Sequence, residues 1–455
     1  MTDLVIRGGV LVLPDGARTL DLAIEDGAIR DIGPDPPGAA EEIDARGLHV
    51  FPGMIDIHVH FNEPGRAEWE GAATGSRALA AGGGTVFFDM PLNSTPCTVN
   101  AHEFDRKRAA LESTSIVDFG LWGGLIPGNL GEMAELADRG VVGFKAFMCD
   151  SGLPEFPRAD DDTLYEGLKE AARLDLPVAV HAESQELTGA QSRRMMEQGR
   201  LGVRGFLESR PVIAEVEAIQ RATLLAGEAG AKLHIVHVSC GRGVVAALEA
   251  RSRGVDVSIE TCPHYLFLTA EDVERLGAIA KCAPPLRDPG HQEALWAKVM
   301  DGSVDVIASD HSPAPPELKT GEFWKAWGGI QGVQSTLAVM LDRGLHQRRL
   351  PLERIAALLA GFPSQRFRIP HKGGLQPGND ADLALVDLSA VHTLRPENLH
   401  QRHALSPYMG VSFRGAVRRT IRRGETIFQN GVITGKRGAR FVRPRQPKEG
   451  KRVAC

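Results

Sequence analysis

Eight short apolar runs of β type lie between residues 54 and 310: MIDIHVH, GTVFFDM, SIVDFGLW, VVGFKAFM, LPVAVHA, KLHIVHV, VDVSIET and VDVIASD. Between most of them lie Ala/Leu/Glu-rich segments of helical period, among them 163–175, 211–229 and 242–254. Strand and helix in alternation, with strands apolar on both faces, predict a parallel (β/α)8 barrel. Five of the runs end in side chains that can hold a metal ion: His58 and His60, Lys145, His181, His237 and Asp310. A barrel gathers the C-terminal ends of its strands into one ring, whereas an open parallel sheet would scatter them along an edge.

Each residue taken singly has a blander reading. Alternation along IDIHVHF puts Asp56, His58 and His60 on one strand face, yet an H-x-H pair also arises by chance. A strand-end lysine such as Lys145 commonly snorkels to solvent, and histidines that end apolar strands, as His181 and His237 do, are commonly hydrogen-bonded core residues. Six together, from five strands, favour one metal site. His234, three residues before His237, falls on the opposite face by alternation and reads as a core histidine.

The flanks differ. Residues 1–52 and 376–440 carry short, turn-punctuated strands (DLVIRGGVLVLPDG, LDLAIEDGAIRDIG, DADLALVDL, GAVRRTIRRGETIFQNG), which predicts a small β-sandwich built from both ends of the chain around a barrel at 53–375. A basic tail, 441–455 within the run Lys436–Arg452, reads as a solvated end.

The 455 residues are 43% hydrophobic and 24% charged with a net charge of −6. That balance gives no footprint for nucleic acid or a membrane surface and leaves a small molecule as the expected partner. No leader-like or membrane-length apolar segment is present, so the expected location is cytoplasmic. The six cysteines lack CxxC spacing and read as reduced core residues.

Imidazoles and a carboxylate suit zinc or a similar first-row ion. A lysine ammonium is costly to bury, so Lys145 should be neutralised or modified; as a carbamate it would offer two oxygens, enough to bridge two ions.

The run GMIDIHVHFNEPG, the lysine in GFKAFM, the histidines in VAVHAES and IVHVS, the aspartate in IASDHSP, and the segments ETCPHYL, KCAPPLR and SPYMG together resemble the cyclic amidohydrolases: dihydroorotases, hydantoinases and allantoinases. The resemblance covers nearly the whole chain. It implies a barrel with a β-sandwich and two divalent ions, zinc before manganese or cobalt, bridged by carboxylated Lys145 and a hydroxide. One ion would take His58, His60, Asp310 and Lys145, the other Lys145, His181 and His237, with Asp310 as general base and then acid. A homotetramer or dimer is expected.

Within the group, dihydroorotases carry H-x-H-x-R, but Asn62 stands where the arginine would grip a carboxylate. Hydantoinases and dihydropyrimidinases carry a tyrosine five residues after the lysine, where Asp150 stands here. HFNEPGR, WGGIQGVQ and SPYMG resemble allantoinases most, with Asn62, Asn93, Ser312 and Gly329 as expected contacts to a neutral cyclic ureide. Hydantoin or dihydroorotate hydrolysis is the alternative, and a metal-free scaffold of the same fold, lacking activity, is the non-enzymatic one.

Overall fold

A computed structural model describes residues 2–36 and 38–445. Its strands are, in chain order, β1 (Leu4–Leu13), β2 (Gly16–Glu25), β3 (Ala28–Gly33), β4 (Glu41–Asp44), β5 (His49–Pro52), β6 (Met54–Val59), β7 (Gly84–Asp89), β8 (Asp118–Leu121), β9 (Gly123–Gly124), β10 (Phe144–Phe147), β11 (Val178–His181), β12 (Leu233–Ile235), β13 (Val257–Thr261), β14 (Val306–Ile307), β15 (Leu383–Thr393), β16 (Ser412–Arg422), β17 (Glu425–Gln429) and β18 (Val432–Ile433).

All eight apolar runs form strands. β6, β7 and β8 pair in parallel, and so do β9 through β14 in chain order. Two seams join these arcs. β8 and β9 flank Trp122, whose N–H donates to Asp89 O at 3.1 Å, which carries the β7 edge into the next arc. On the other side Val59 bridges His311 in parallel, and His60 N–H donates to His311 O at 2.8 Å. The result is the closed (β/α)8 barrel, its strands buried on both faces.

The connecting helices follow local rules. Asp161–Arg173 starts at Asp160, whose carboxylate accepts from Thr163 N–H; Asp161 and Asp162 sit in its first turn and Arg173 in its last. Its Leu164, Leu168 and Ala171 share one stripe and are buried against the barrel. Each leucine contributes about 1.5–3 kcal/mol by leaving water. Helices Val212–Ala229 and Gly241–Ser252 lie within two residues of where periodicity puts them.

The two chain ends meet in one nine-stranded sheet, in the order β18-β17-β16-β15-β5-β1-β2-β3. β1 pairs with β4 along its first half and with β5 along its second, so the sheet forks there. β15 lies antiparallel on β5, with Leu383 opposite Pro52, and so ties residues 380 onward to the strand that leads into the barrel. Gly53 makes that entry: a Cβ there would lie 2.3 Å from Thr85 Oγ1.

The described part of the basic tail departs from a solvated end. Phe119 N–H donates to Arg440 O at 3.1 Å, Val442 N–H donates to Phe119 O at 2.8 Å, and Phe441 packs on Phe104 and Phe119. Two apolar residues inside the run, Phe441 and Val442, supply burial that its charges conceal. Residues 446–455 lie outside the described residues, as does Cys455 of the cysteine reading; the other five cysteines are buried and unpaired. No helix among the described residues is long and apolar enough to cross a membrane.

Candidate metal centre

The six residues singled out at strand ends converge at one end of the barrel. His58 and His60 leave β6 with their Nε2 atoms 3.3 and 3.4 Å from the same Asp310 oxygen. Across the ring, His181 Nδ1 and His237 Nε2 face each other at 3.0 Å. The His58 and His237 rings lie 5.4 Å apart and link the two groups. Lys145 is wholly buried on β10, one strand from His181, with its Nζ 5.0 Å from the Phe147 ring, which stacks on His181 at 4.5 Å.

The electrostatics suit cations. Burial holds His60, His181 and His237 below their ordinary range, so their ring nitrogens are lone-pair donors near neutrality. Burial raises the Asp310 carboxyl, but the charge of His58 and the hydrogen bond of His60 outweigh it and keep the group ionised. Burial also pushes Lys145 down to about 8, and its Nζ bonds no protein acceptor. Imidazoles facing a carboxylate and one another, beside a buried amine without a partner, fit a site for divalent ions.

Backbone strain gathers in the same place. His237 (φ 39°), Asp310 (φ 44°), Asn62 (φ 62°) and Asn93 (φ 72°) all occupy the left-handed region, which non-glycine residues seldom adopt and which clusters at functional sites. For His237 the turn has a further consequence. It breaks the alternation of β12, so His234 and His237 both face the barrel interior. His234 therefore does not lie on the opposite face, as strict alternation predicts. It is wholly buried beside Trp122 and Phe367 and bonds Ser258 Oγ and Glu260 Oε2 at 2.8 and 3.0 Å.

Glu260, at the end of β13, is the residue that the sequence reading missed. Its Oε1 meets His58 Nδ1 at 2.8 Å and accepts the His237 backbone N–H at 3.0 Å, while Oε2 takes His234. Glu183 serves His181 similarly, at 2.8 Å from its Nε2, and is itself paired with Arg210 at 2.5 Å. Both are wholly buried, and both are held at about 2: burial raises them, but the charge of His58 on Glu260 and of Arg210 on Glu183 outweighs it. Carboxylates that take one ring nitrogen of a ligand histidine free the other for the ion. The signal was the alternation in VDVSIET, where Ser258 and Glu260 share one face of an otherwise apolar strand.

The expected substrate contacts lie together beside Asp310. Asn62 is buried; its Nδ2 donates to Pro313 O at 3.2 Å and its Oδ1 has no donor. Asn93 Nδ2 is 3.4 Å from Ser312 Oγ. A Cβ on Gly329 (φ 135°) would lie 2.4 Å from Ser312 O, so only glycine fits there. Asp150 is exposed; its carboxylate accepts Gly152 N–H, as a turn residue.

Residues 49–427 match the Amidohydrolase family. The chain belongs to that family. Among its relatives in the amidohydrolase family, proteins named allantoinase from Solibacter usitatus and Rubrobacter xylanophilus are 65% and 57% identical, each match covering 98% of this chain and 98% of the relative. An L-hydantoinase (dihydropyrimidinase) structure from Arthrobacter aurescens superposes with a TM-score of 0.95 at 34% identity, over 97% of this chain and 100% of that one. A D-hydantoinase structure gives 0.91 at 28%, over 98% and 99%. The chain is thus an α/β cyclic amidohydrolase with the barrel and β-sandwich of its structural neighbours.

Proposed function

We propose that this chain hydrolyses the ring amide of allantoin to give allantoate. The observation that carries this choice within the family is Asn62. Its amide is anchored through Nδ2, which leaves the buried Oδ1 as an acceptor for a ligand N–H. A ureide is rich in such donors. The carboxylate group of an anionic ring offers none and would want a cation beside it, a role that the neutral Asn62 cannot fill. The relatives named allantoinase agree with this reading.

His58, His60 and Asp310 would hold one divalent ion and His181 and His237 the other, with Lys145, carboxylated by carbon dioxide, between them. The depressed, unpartnered amine of Lys145 favours that addition, because the neutral amine is the nucleophile. When bound, such a pair, zinc first with manganese or cobalt as alternatives, supplies an acidified water and a polarised carbonyl. Asp310 accepts the water's proton as its oxygen joins the ring carbonyl carbon. It returns that proton to the ring nitrogen as the C–N bond breaks. Asn62, Asn93 and Ser312 hold the neutral ring, and Gly329 lets the backbone approach it. A cytoplasmic homotetramer or dimer fits this soluble chemistry.

The test is a panel of allantoin, hydantoin, dihydrouracil and dihydroorotate with wild type and Asn62→Arg. Wild type should open allantoin far faster than dihydroorotate. The arginine, a donor only, should narrow the ratio by strengthening carboxylate binding by about 1.5–3 kcal/mol. Turnover of dihydroorotate with none of allantoin would overturn the substrate and leave the family chemistry intact.

A further inference from the structure

Two buried lysines outside the metal centre grip one short loop. Lys281, only 6% exposed, donates from Nζ to the carbonyls of Phe323, Trp324 and Ala326 at 2.7, 3.1 and 2.6 Å. Lys319, 9% exposed, donates to Ala278, Trp327 and Gly329 at 3.3, 3.1 and 2.5 Å. An ammonium group has three donors, so each lysine is fully satisfied, and five of the six carbonyls belong to residues 323–329. Burial, and then the charge of Lys281, push Lys319 down to about 7. Two like charges buried close together are costly to keep for packing alone.

The gripped loop spans the mouth of the barrel. At one end Phe323 and Trp324 pack on Phe206, 5.5 and 5.9 Å between ring centres, in a helix that follows the fifth barrel strand. At the other, Trp327 meets Trp69 edge-on at 4.8 Å, in the loop after the first. First and fifth strands of eight stand opposite each other. Gly329, bonded through its N–H to Lys281 O at 2.7 Å, then abuts Ser312, two residues beyond Asp310. The indole nitrogens of Trp324 and Trp327 are buried without an acceptor, so the loop carries N–H donors that a ligand carbonyl can take.

We propose that Lys281 and Lys319 are positioning residues that hold 323–329 as a strap across the mouth, closing on the ureido arm of the substrate and setting its affinity. This rests on the allantoin reading above. Hydantoin, the same ring without the arm, is the internal control.

The experiment uses Lys281→Met and Lys319→Met in the metal-loaded enzyme. Metal content and kcat should stay near wild type. KM should rise about tenfold for allantoin and far less for hydantoin, the signature of lost binding to the arm. Chymotrypsin should cut after Phe323, Trp324 or Trp327 about tenfold faster, since local opening exposes those bonds. Unchanged KM and cutting rates overturn the proposal, as does an equal KM rise for both rings. So does a parallel fall in kcat and metal content. If neither lysine variant is soluble, Trp327→Leu, which leaves both lysines in place, must raise the allantoin KM, and an unchanged value refutes the strap. A wild-type enzyme that opens hydantoin but not allantoin, or neither, overturns the substrate reading and the arm contact with it, while the cutting rates still decide the clamp.

Discussion

Replacement of Glu260 tests whether a carboxylate beneath the centre holds it together. Three buried donors end on this one group: the His58 ring, the His234 ring and the His237 backbone. Glu260→Ala leaves all three unmatched. At about 1–3 kcal/mol each, the loss is comparable to the whole stability of a typical domain, so the variant should be insoluble or strongly destabilised. Glu260→Gln is the informative change. It keeps size and one oxygen for His58 and His237, and His234 can turn its unprotonated nitrogen to the new NH2 because Ser258 Oγ lies at its other side. What disappears is charge, worth about 1 kcal/mol per bond, and metal affinity should fall about 10- to 100-fold.

The pH dependence gives a second handle on the same residue. Glu260 is held at about 2 against an ordinary 4.5, because the charge of His58 and the His234 bond outweigh the opposing effect of burial. A carboxyl depressed in the folded state stabilises above its unfolded pKa and loses that contribution as pH falls through the folded one. About 3 kcal/mol of metal-free stability should therefore vanish between pH 4.5 and 2 in wild type, and most of that loss should be missing in Glu260→Gln. Competition with a chromogenic chelator reads the affinity, and urea midpoints at pH 7, 4 and 3 read the stability. Wild-type metal affinity in Glu260→Gln, or a wild-type urea midpoint in Glu260→Ala, would refute the reasoning.

Lys145→Ala should lose most bound metal and activity, and acetate or propionate should restore part of both by filling the gap; wild-type metal content by mass spectrometry would remove the lysine from the centre. Asp310→Asn keeps an oxygen ligand but cannot take a proton, so kcat should fall about 10²–10⁴-fold while metal is partly retained; undiminished kcat would place the base elsewhere. Gly329→Ala has no room beside Ser312 and no comfortable backbone at φ 135°, so it should raise KM for allantoin with little change in metal content, and a wild-type KM would show the contact to be slack.

Local pattern carried much of this protein. Apolar runs of strand length, helical stripes between them and ligand-type side chains at run ends are written in neighbouring residues, because strand and helix periods are short-range. All eight barrel strands and the convergence of His58, His60, Lys145, His181, His237 and Asp310 follow from that. Glu260 was also within reach, since its polar face on an apolar strand is visible in VDVSIET.

Other features depend on where distant segments meet. His237 joins His234 on the interior side through a left-handed backbone that strict alternation does not foresee. The tail's Phe441 and Val442 find a slot on β8, over 300 residues away in the chain. Lys281 and Lys319 read as ordinary charges until the fold surrounds them with carbonyls from a loop some forty residues past the first and a few past the second. Periodicity and residue type write the elements, and the chemistry at their ends, into short stretches of the chain. Which buried charges share partners is settled by folding, because a hydrogen bond between remote segments leaves no trace in either segment alone.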